Sequence, residues 1–280
     1  MDNAPVKIEK VAGNLVFPEG PVWHPEGFLL FSDIHGRTIE KLLPDGGSEP
    51  WFSRGIKTNG LILDRTKTKL IAACHSELQL ISIDLKTREY TVLAADYQGE
   101  ALLNVNDVAI DTYDNIFLTD PSWGGKPNEV QGVYRYSKDG KFARILEGNY
   151  TPNGIAVSPD GKSLYVARGS VSEIWAHDLD PAGNVSNERL FCDLGKGAGP
   201  DGMTVDSRGY VYQSHAGDGM VSVINPHGTI VQRIKVMERM ATNCEFEGGN
   251  EKVLYVTGGG RGKERVGGVF KLTFERLPEG

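Results

Sequence analysis

An all-β chain wound as a six-bladed β-propeller, four strands to a blade, is the fold this sequence predicts, and three observations predict it. Apolar residues alternate with period two in short runs such as LIAAC, NIFLTD, SLYVA and VLYVTG, and no long run holds a helical period. Turn residues separate the runs, drawn from 35 glycines, 14 prolines and frequent Asn and Asp. One pattern then recurs six times along the chain: a polar residue, a short residue, an apolar strand, a turn and a second apolar strand.

The six copies are PEGPVWHPEGFLLFSD, KTNGLILDRTKTKLIAAC, NVNDVAIDTYDNIFLTD, TPNGIAVSPDGKSLYVA, GPDGMTVDSRGYVYQS and ATNCEFEGGNEKVLYVT. A third strand follows most of them, as in TIEKLLPDG, LISIDLKTR, VYRYSKDG and MVSVINPHG. The polar heads are Glu19, Asn59, Asn106, Asn153, Asp201 and Asn243, spaced 40, 47, 47, 48 and 42 residues apart. That period fits one four-stranded blade per copy. The last copy supplies three evident strands, and the N-terminal VKIEKV (Val6–Val11) is expected to pair as its fourth. Such a pairing joins both chain ends in one blade and covers an exposed sheet edge. No linker or compositional break interrupts the series, so residues 1–280 are expected to form a single domain.

The composition narrows the partners. At 39% hydrophobic and 24% charged, the 280 residues hold ample core for a globular protein. The net charge of -7 argues against nucleic acid and anionic membrane, which both ask for a basic face. No apolar run approaches the roughly 18 residues of a membrane helix, and MDNAPVKIEKVAG shows no secretion signal. Cys74, Cys192 and Cys244 are odd in number and widely spaced, which suits free thiols in a reducing, cytoplasmic setting.

The first strand of each propeller blade runs along the central channel, so residues at the same point of six first strands meet on the axis. A single Asn or Asp before Gly ordinarily caps a turn. Six in register, two of them acidic and none apolar, are better explained as oxygens aimed at a common centre. Two carboxylates converging there repel one another unless a cation lies between them. The set has no His or Cys, which suits a hard cation such as Ca²⁺ better than structural zinc.

The segments EGPVW, NDVAID, PNGIAVSPDGKSLYVA and GPDGMTVD, in this order and spacing, resemble the gluconolactonase / senescence marker protein (regucalcin) family. FLTDPSWG…QGVYR and TNCEF…LYVT are similar to its bacterial gluconolactonase branch, and the resemblance spans nearly the whole chain. It implies a six-bladed propeller with one divalent cation in the channel and hydrolysis of sugar lactones. Ca²⁺ is the expected ion, with Zn²⁺, Mn²⁺ and Fe²⁺ as alternatives. Matched position by position, the family's metal ligands are Glu19, Asn153 and Asp201. Asn106 matches the asparagine that contacts substrate or adds a fourth ligand, and Asp201 matches the carboxylate usually proposed as general base. Asn59 and Asn243 are expected to line the pocket. Where animal members carry a lactone-contacting arginine, this chain has Asn104. Where many gluconolactonases carry HG-x-R, it has CHSELQL, which keeps His75 without the arginine.

Other motifs carry less. There is no GxSxG nucleophile elbow and no HExxH zinc spacing. GGGRGKERVGG (Gly258–Gly268) lacks Walker spacing and reads as a loop of the last blade. DLDPAGNVSNE (Asp178–Glu188) has its acid one place short of a calcium loop and reads as a solvated turn between blades. The leading expectation is a metal-dependent lactonase acting on a small-molecule lactone. A phosphotriesterase-like hydrolase on the same centre and a non-catalytic ligand-binding propeller are the alternatives. A metal-free synthase of the strictosidine type ranks last.

Overall fold

The computed structural model describes residues 4–123, 129–259 and 266–280. Among the described residues every regular element is a strand, and there is no helix that crosses a membrane. Six antiparallel four-stranded sheets form the blades, each with its first strand innermost, as the repeats predict.

Strand β1 (Val6–Leu15) is the outermost strand of blade 6. Blade 1 comprises β2 (Pro18–His24), β3 (Phe28–Asp33), β4 (Thr38–Leu42) and β5 (Ser48–Phe52). Blade 2 comprises β6 (Thr58–Leu63), β7 (Lys69–Cys74), β8 (Gln79–Asp84) and β9 (Tyr90–Ala94). A two-stranded ribbon, β10 (Asp96–Tyr97) and β11 (Glu100–Ala101), leads into blade 3. Blade 3 holds β12 (Val108–Ile110), β13 (Ile116–Asp120), β14 (Gly132–Tyr136) and β15 (Phe142–Glu147). Blade 4 holds β16 (Pro152–Val157), β17 (Ser163–Arg168), β18 (Glu173–Leu179) and β19 (Val185–Asp193). Blade 5 holds β20 (Pro200–Val205), β21 (Val211–His215), β22 (Met220–Ile224) and β23 (Ile230–Lys235). Blade 6 closes with β24 (Ala241–Glu247), β25 (Asn250–Gly258) and β26 (Gly267–Phe274).

The ring is sealed where the sequence predicts. β1 pairs antiparallel with β26, from Val6 opposite Phe274 to Leu15 opposite Gly267. The core lies between blades, where facing sheets interdigitate. Between blades 5 and 6, Tyr212 meets Phe246 edge-on at 4.9 Å and Phe274 at 6.1 Å. All three cysteines are free and buried. The Asp178–Glu188 segment corrects one expectation: it joins β18 to β19 inside blade 4 rather than linking two blades. Asp180 caps that turn itself, accepting from the Ala182 (2.9 Å) and Asn184 (2.8 Å) amides. The Gly258–Gly268 loop starts at the end of β25 and returns at β26, while its residues 260–265 lie outside the described residues.

Two backbone features set the channel. Register shifts interrupt the first-strand pairing just past the head of blade 1 and across the heads of blades 2, 4 and 5, as between Pro152 and Ile155 and between Pro200 and Met203. Bulges of this kind bend the strand and re-aim a side chain, here toward the axis. The short residue after the head then lets the next blade approach. A Cβ on Gly154 would sit 2.1 Å from the Asp201 carbonyl oxygen, and one on Gly20 2.2 Å from that of Asn59. The opening Asn-Gly of TPNGIAV is therefore a channel head followed by an inter-blade contact, not a hairpin tip.

Candidate functional site

At one end of the axis the heads line a cavity of about 690 Å³. Glu19, Asn59, Asn106, Asn153 and Asp201 all reach it, each between 3% and 6% exposed. Five of the six expected heads thus meet in one place, and His75 joins them on the wall.

The floor is short of positive charge. Burial pushes the Glu19 carboxyl well above its usual range, and the Asp201 carboxylate pushes it further; the Gly20 amide (2.9 Å to Oε2) and the Asn243 amide pull the other way. The Asn59 and Asn153 Oδ1 atoms are buried with no hydrogen-bond partner among the described residues. Two carboxylates and unpaired amide oxygens in one buried volume are the donors a hard cation takes. Among the described residues no three His, Cys, Asp or Glu side chains cluster as ligands, so amides must complete any such set.

Asn243, expected beside the other heads, turns instead to a smaller cavity of about 150 Å³ farther along the axis. In blade 6 the extra residue of the bulge precedes the head: Ala241 faces Gly258 and Asn243 already faces Thr257 in regular pairing. Asn243 Oδ1 accepts from the Cys244 amide at 2.8 Å, and Nδ2 lies 3.5 Å from Asp107 Oδ1. Asp107 and Glu245 line this second cavity, and burial raises each carboxyl to about 7.

Asn104 is the other residue placed away from the lining. Its amide Nδ2 donates to the Pro121 carbonyl (3.2 Å), and its backbone N–H donates to Asp120 Oδ1 (2.7 Å). His75 is half-buried, bonded to the Val105 backbone, and burial followed by the nearby Lys57 ammonium lowers its pKa. Its Nδ1 has no partner among the described residues.

The repeat pattern did hold a signal for Asp107. Four heads are followed by Gly, and only blades 3 and 6 break that rule, with Asp107 and Cys244. The wall residues Phe17, Ile34, Trp123, Thr151, Ser170 and Met240 come from loops and strand ends, and no repeat signal marks them.

Comparison with known proteins agrees with this architecture. The model of the SMP-30/Gluconolactonase/LRE-like region matches residues 17–260. A gluconolactonase of Zymomonas mobilis is 30% identical over 241 residues, covering 75% of this chain and 67% of that protein. A pentonolactonase of Haloferax volcanii is 27% identical over 255 residues, covering 89% of this chain and 84% of its own. The solved structure of a gluconolactonase from Xanthomonas campestris superposes with a TM-score of 0.84 at 26% identity, over 96% of this chain and 90% of that one.

Proposed function

Because the chain belongs to the SMP-30/gluconolactonase/LRE-like family, we propose that it is a lactonase that opens a sugar-type lactone ring at the channel cavity with the help of a divalent cation. The observation that carries this reading is the floor itself: Glu19 and Asp201 held together under burial, beside two amide oxygens with no partner. Without a counter-charge that arrangement is unfavourable, and a cation removes the conflict.

Glu19, Asn153 and Asp201 would hold the ion, and the all-oxygen set fits Ca²⁺ best, ahead of Mn²⁺, Zn²⁺ and Fe²⁺. Once bound, the cation supplies Lewis acidity toward the lactone carbonyl and offsets the negative charge that develops on its oxygen. Asn106 orients the ring through its amide. Asp201 accepts a proton from the attacking water and returns it to the departing ring oxygen, so water adds across one C–O bond and yields a hydroxy acid. With a net charge of -7 the protein suits a small uncharged substrate rather than nucleic acid.

The test is acid release, followed with a pH indicator, from a panel of aldonolactones before and after EDTA treatment, with Ca²⁺, Mn²⁺ or Zn²⁺ restored. Turnover that disappears on chelation and returns with one ion supports the reading. Turnover that survives thorough chelation removes the cation from it. Hydrolysis of phosphotriesters but of no lactone would replace the substrate class.

A further inference from the structure

The cavity wall divides by blade. On the side of blades 2 to 4 stand His75, Ser122, Thr151 and Ser170, with the Trp123 ring at the rim as the one large apolar side chain there among the described residues. Its blade 4 part is held firmly. Thr151 adopts φ +52, its carbonyl accepts from the Gly169 amide (3.0 Å), and Arg168 is stacked between Tyr150 (4.1 Å) and Trp175 (4.2 Å). On the side of blades 5, 6 and 1 the lining side chains above the heads are Pro200, Ala216, Met240, Phe17 and Ile34. Among the described residues, the weakly accepting Met240 thioether and His35 at the rim are what interrupts this apolar surface. The His35 ring lies 5.6 Å from that of Phe17.

Three backbone amides behind the apolar side already have partners. Phe17 N–H donates to Asp33 Oδ1 (2.8 Å), Ile34 N–H to the Phe17 carbonyl (3.0 Å), and Gly259 N–H to the Met240 carbonyl (3.0 Å). A substrate hydroxyl laid against this wall would leave its water partners and gain few, which is unfavourable. A hydrocarbon arm laid there gains burial instead. The described lining offers no lysine or arginine to a phosphate or carboxylate substituent. The volume of about 690 Å³ also falls within the range of roughly 300–1,000 Å³ that takes drug-sized ligands, well beyond one small sugar ring.

We infer that the preferred substrate is an uncharged lactone with an apolar arm, which packs on Phe17, Ile34 and Met240 while its ring and hydroxyls face blades 2 to 4. This inference rests on the lactonase reading and narrows its substrate class from polyhydroxylated sugar lactones to amphiphilic ones.

The experiment uses the cation-loaded protein and two non-hydrolysable δ-lactams, one with a pentyl arm and one with the hydroxyls of gluconolactone, titrated by calorimetry. The pentyl lactam is expected to bind at least about ten-fold more tightly, since each buried methylene is worth about four-fold. In parallel, kcat/KM should climb along a series of δ-lactones of growing alkyl arm. Ile34→Thr and Met240→Gln, two independent changes in the wall, should each narrow the ratio of the two lactam affinities about three-fold or more. Equal or tighter binding of the polyhydroxylated lactam overturns the inference, whatever the turnover. Tighter binding of the pentyl lactam with no turnover of any lactone would uphold the cavity's preference and overturn the lactonase reading. Turnover that favours gluconolactone would do the reverse.

Discussion

Asn243 joins two carboxylates that belong to different cavities: its amide bonds to Glu19 in the larger one and approaches Asp107 Oδ1 to 3.5 Å in the smaller. It is the polar tie between the two halves of the channel. Asn243→Leu removes a donor from both buried acids at once. The folded state should lose about 1–3 kcal/mol, read by urea unfolding, and cation affinity measured by calorimetry should weaken. An unchanged affinity would mean that Glu19 does not depend on this amide.

Asp201→Asn keeps the shape of the head and removes its charge. Lactone turnover should fall by roughly 10²–10⁴-fold, the range of general-base catalysis. In the unaltered protein a cation at a hundred times its Kd should add about 2.7 kcal/mol to stability, and that increment should shrink in the variant. Thermal melts with and without EDTA read both effects. Full activity in Asp201→Asn would remove Asp201 from the reaction.

Gly154→Ala tests the inter-blade contact. The new Cβ would meet the Asp201 carbonyl oxygen at 2.1 Å, and that oxygen is backbone that cannot swing aside. Destabilisation of about 3 kcal/mol or more is expected, together with a loss of turnover because the displaced strand carries Asp201. Stability within half a kcal/mol of the parent would show that the blades can slide apart.

Glu245 gives a pH signature. Burial raises its carboxyl from the ordinary 4.5 to about 7, with the Phe246 amide donating to Oε1 at 2.8 Å. Between these values the folded protein holds a proton that the unfolded chain releases. Stability is therefore fully present below about pH 4.5 and declines as pH rises through about 7. Glu245→Gln should flatten this slope, raising stability at pH 8 by up to about 3 kcal/mol while leaving pH 4 nearly unchanged. Urea midpoints at the two pH values decide it.

The thiols should be silent in the native state. Burial raises Cys192 to about 11 and Cys244 to about 12, and lifts Cys74 too. A disulfide reagent at pH 8 should label none of the three until denaturant is added.

The blades, the closure by β1 and five of the heads were legible because they follow from local rules. Period-two alternation defines a strand, and a fixed repeat places its first residue on the axis. Asn243 escaped because the aim of a side chain beside a bulge depends on a single residue of register. In blade 6 that extra residue is Thr242, ahead of the head, whereas in blades 1, 2, 4 and 5 the shift falls at the head or just after it. Asn104 sits near the axis in sequence order, but Asp120 and Pro121 claim its hydrogen bonds, a contact set by the far end of β13. Phe17, Ile34 and Met240 lie at strand ends and in loops, where position depends on neighbours distant in sequence. Asp107 was readable in principle, as an acid where four of its five counterparts are glycine.

The glycine contacts around the axis have one more implication. Where Gly20 abuts the backbone of Asn59 and Gly154 that of Asp201, main chain rests on main chain with no side chain as spacer. At these two junctions the spacing of the blades is thereby gauged by peptide geometry, which substitution of outer residues leaves alone. Selection for new substrates can reshape the rim freely, residue by residue, while the distances among the oxygens beneath it stay constant.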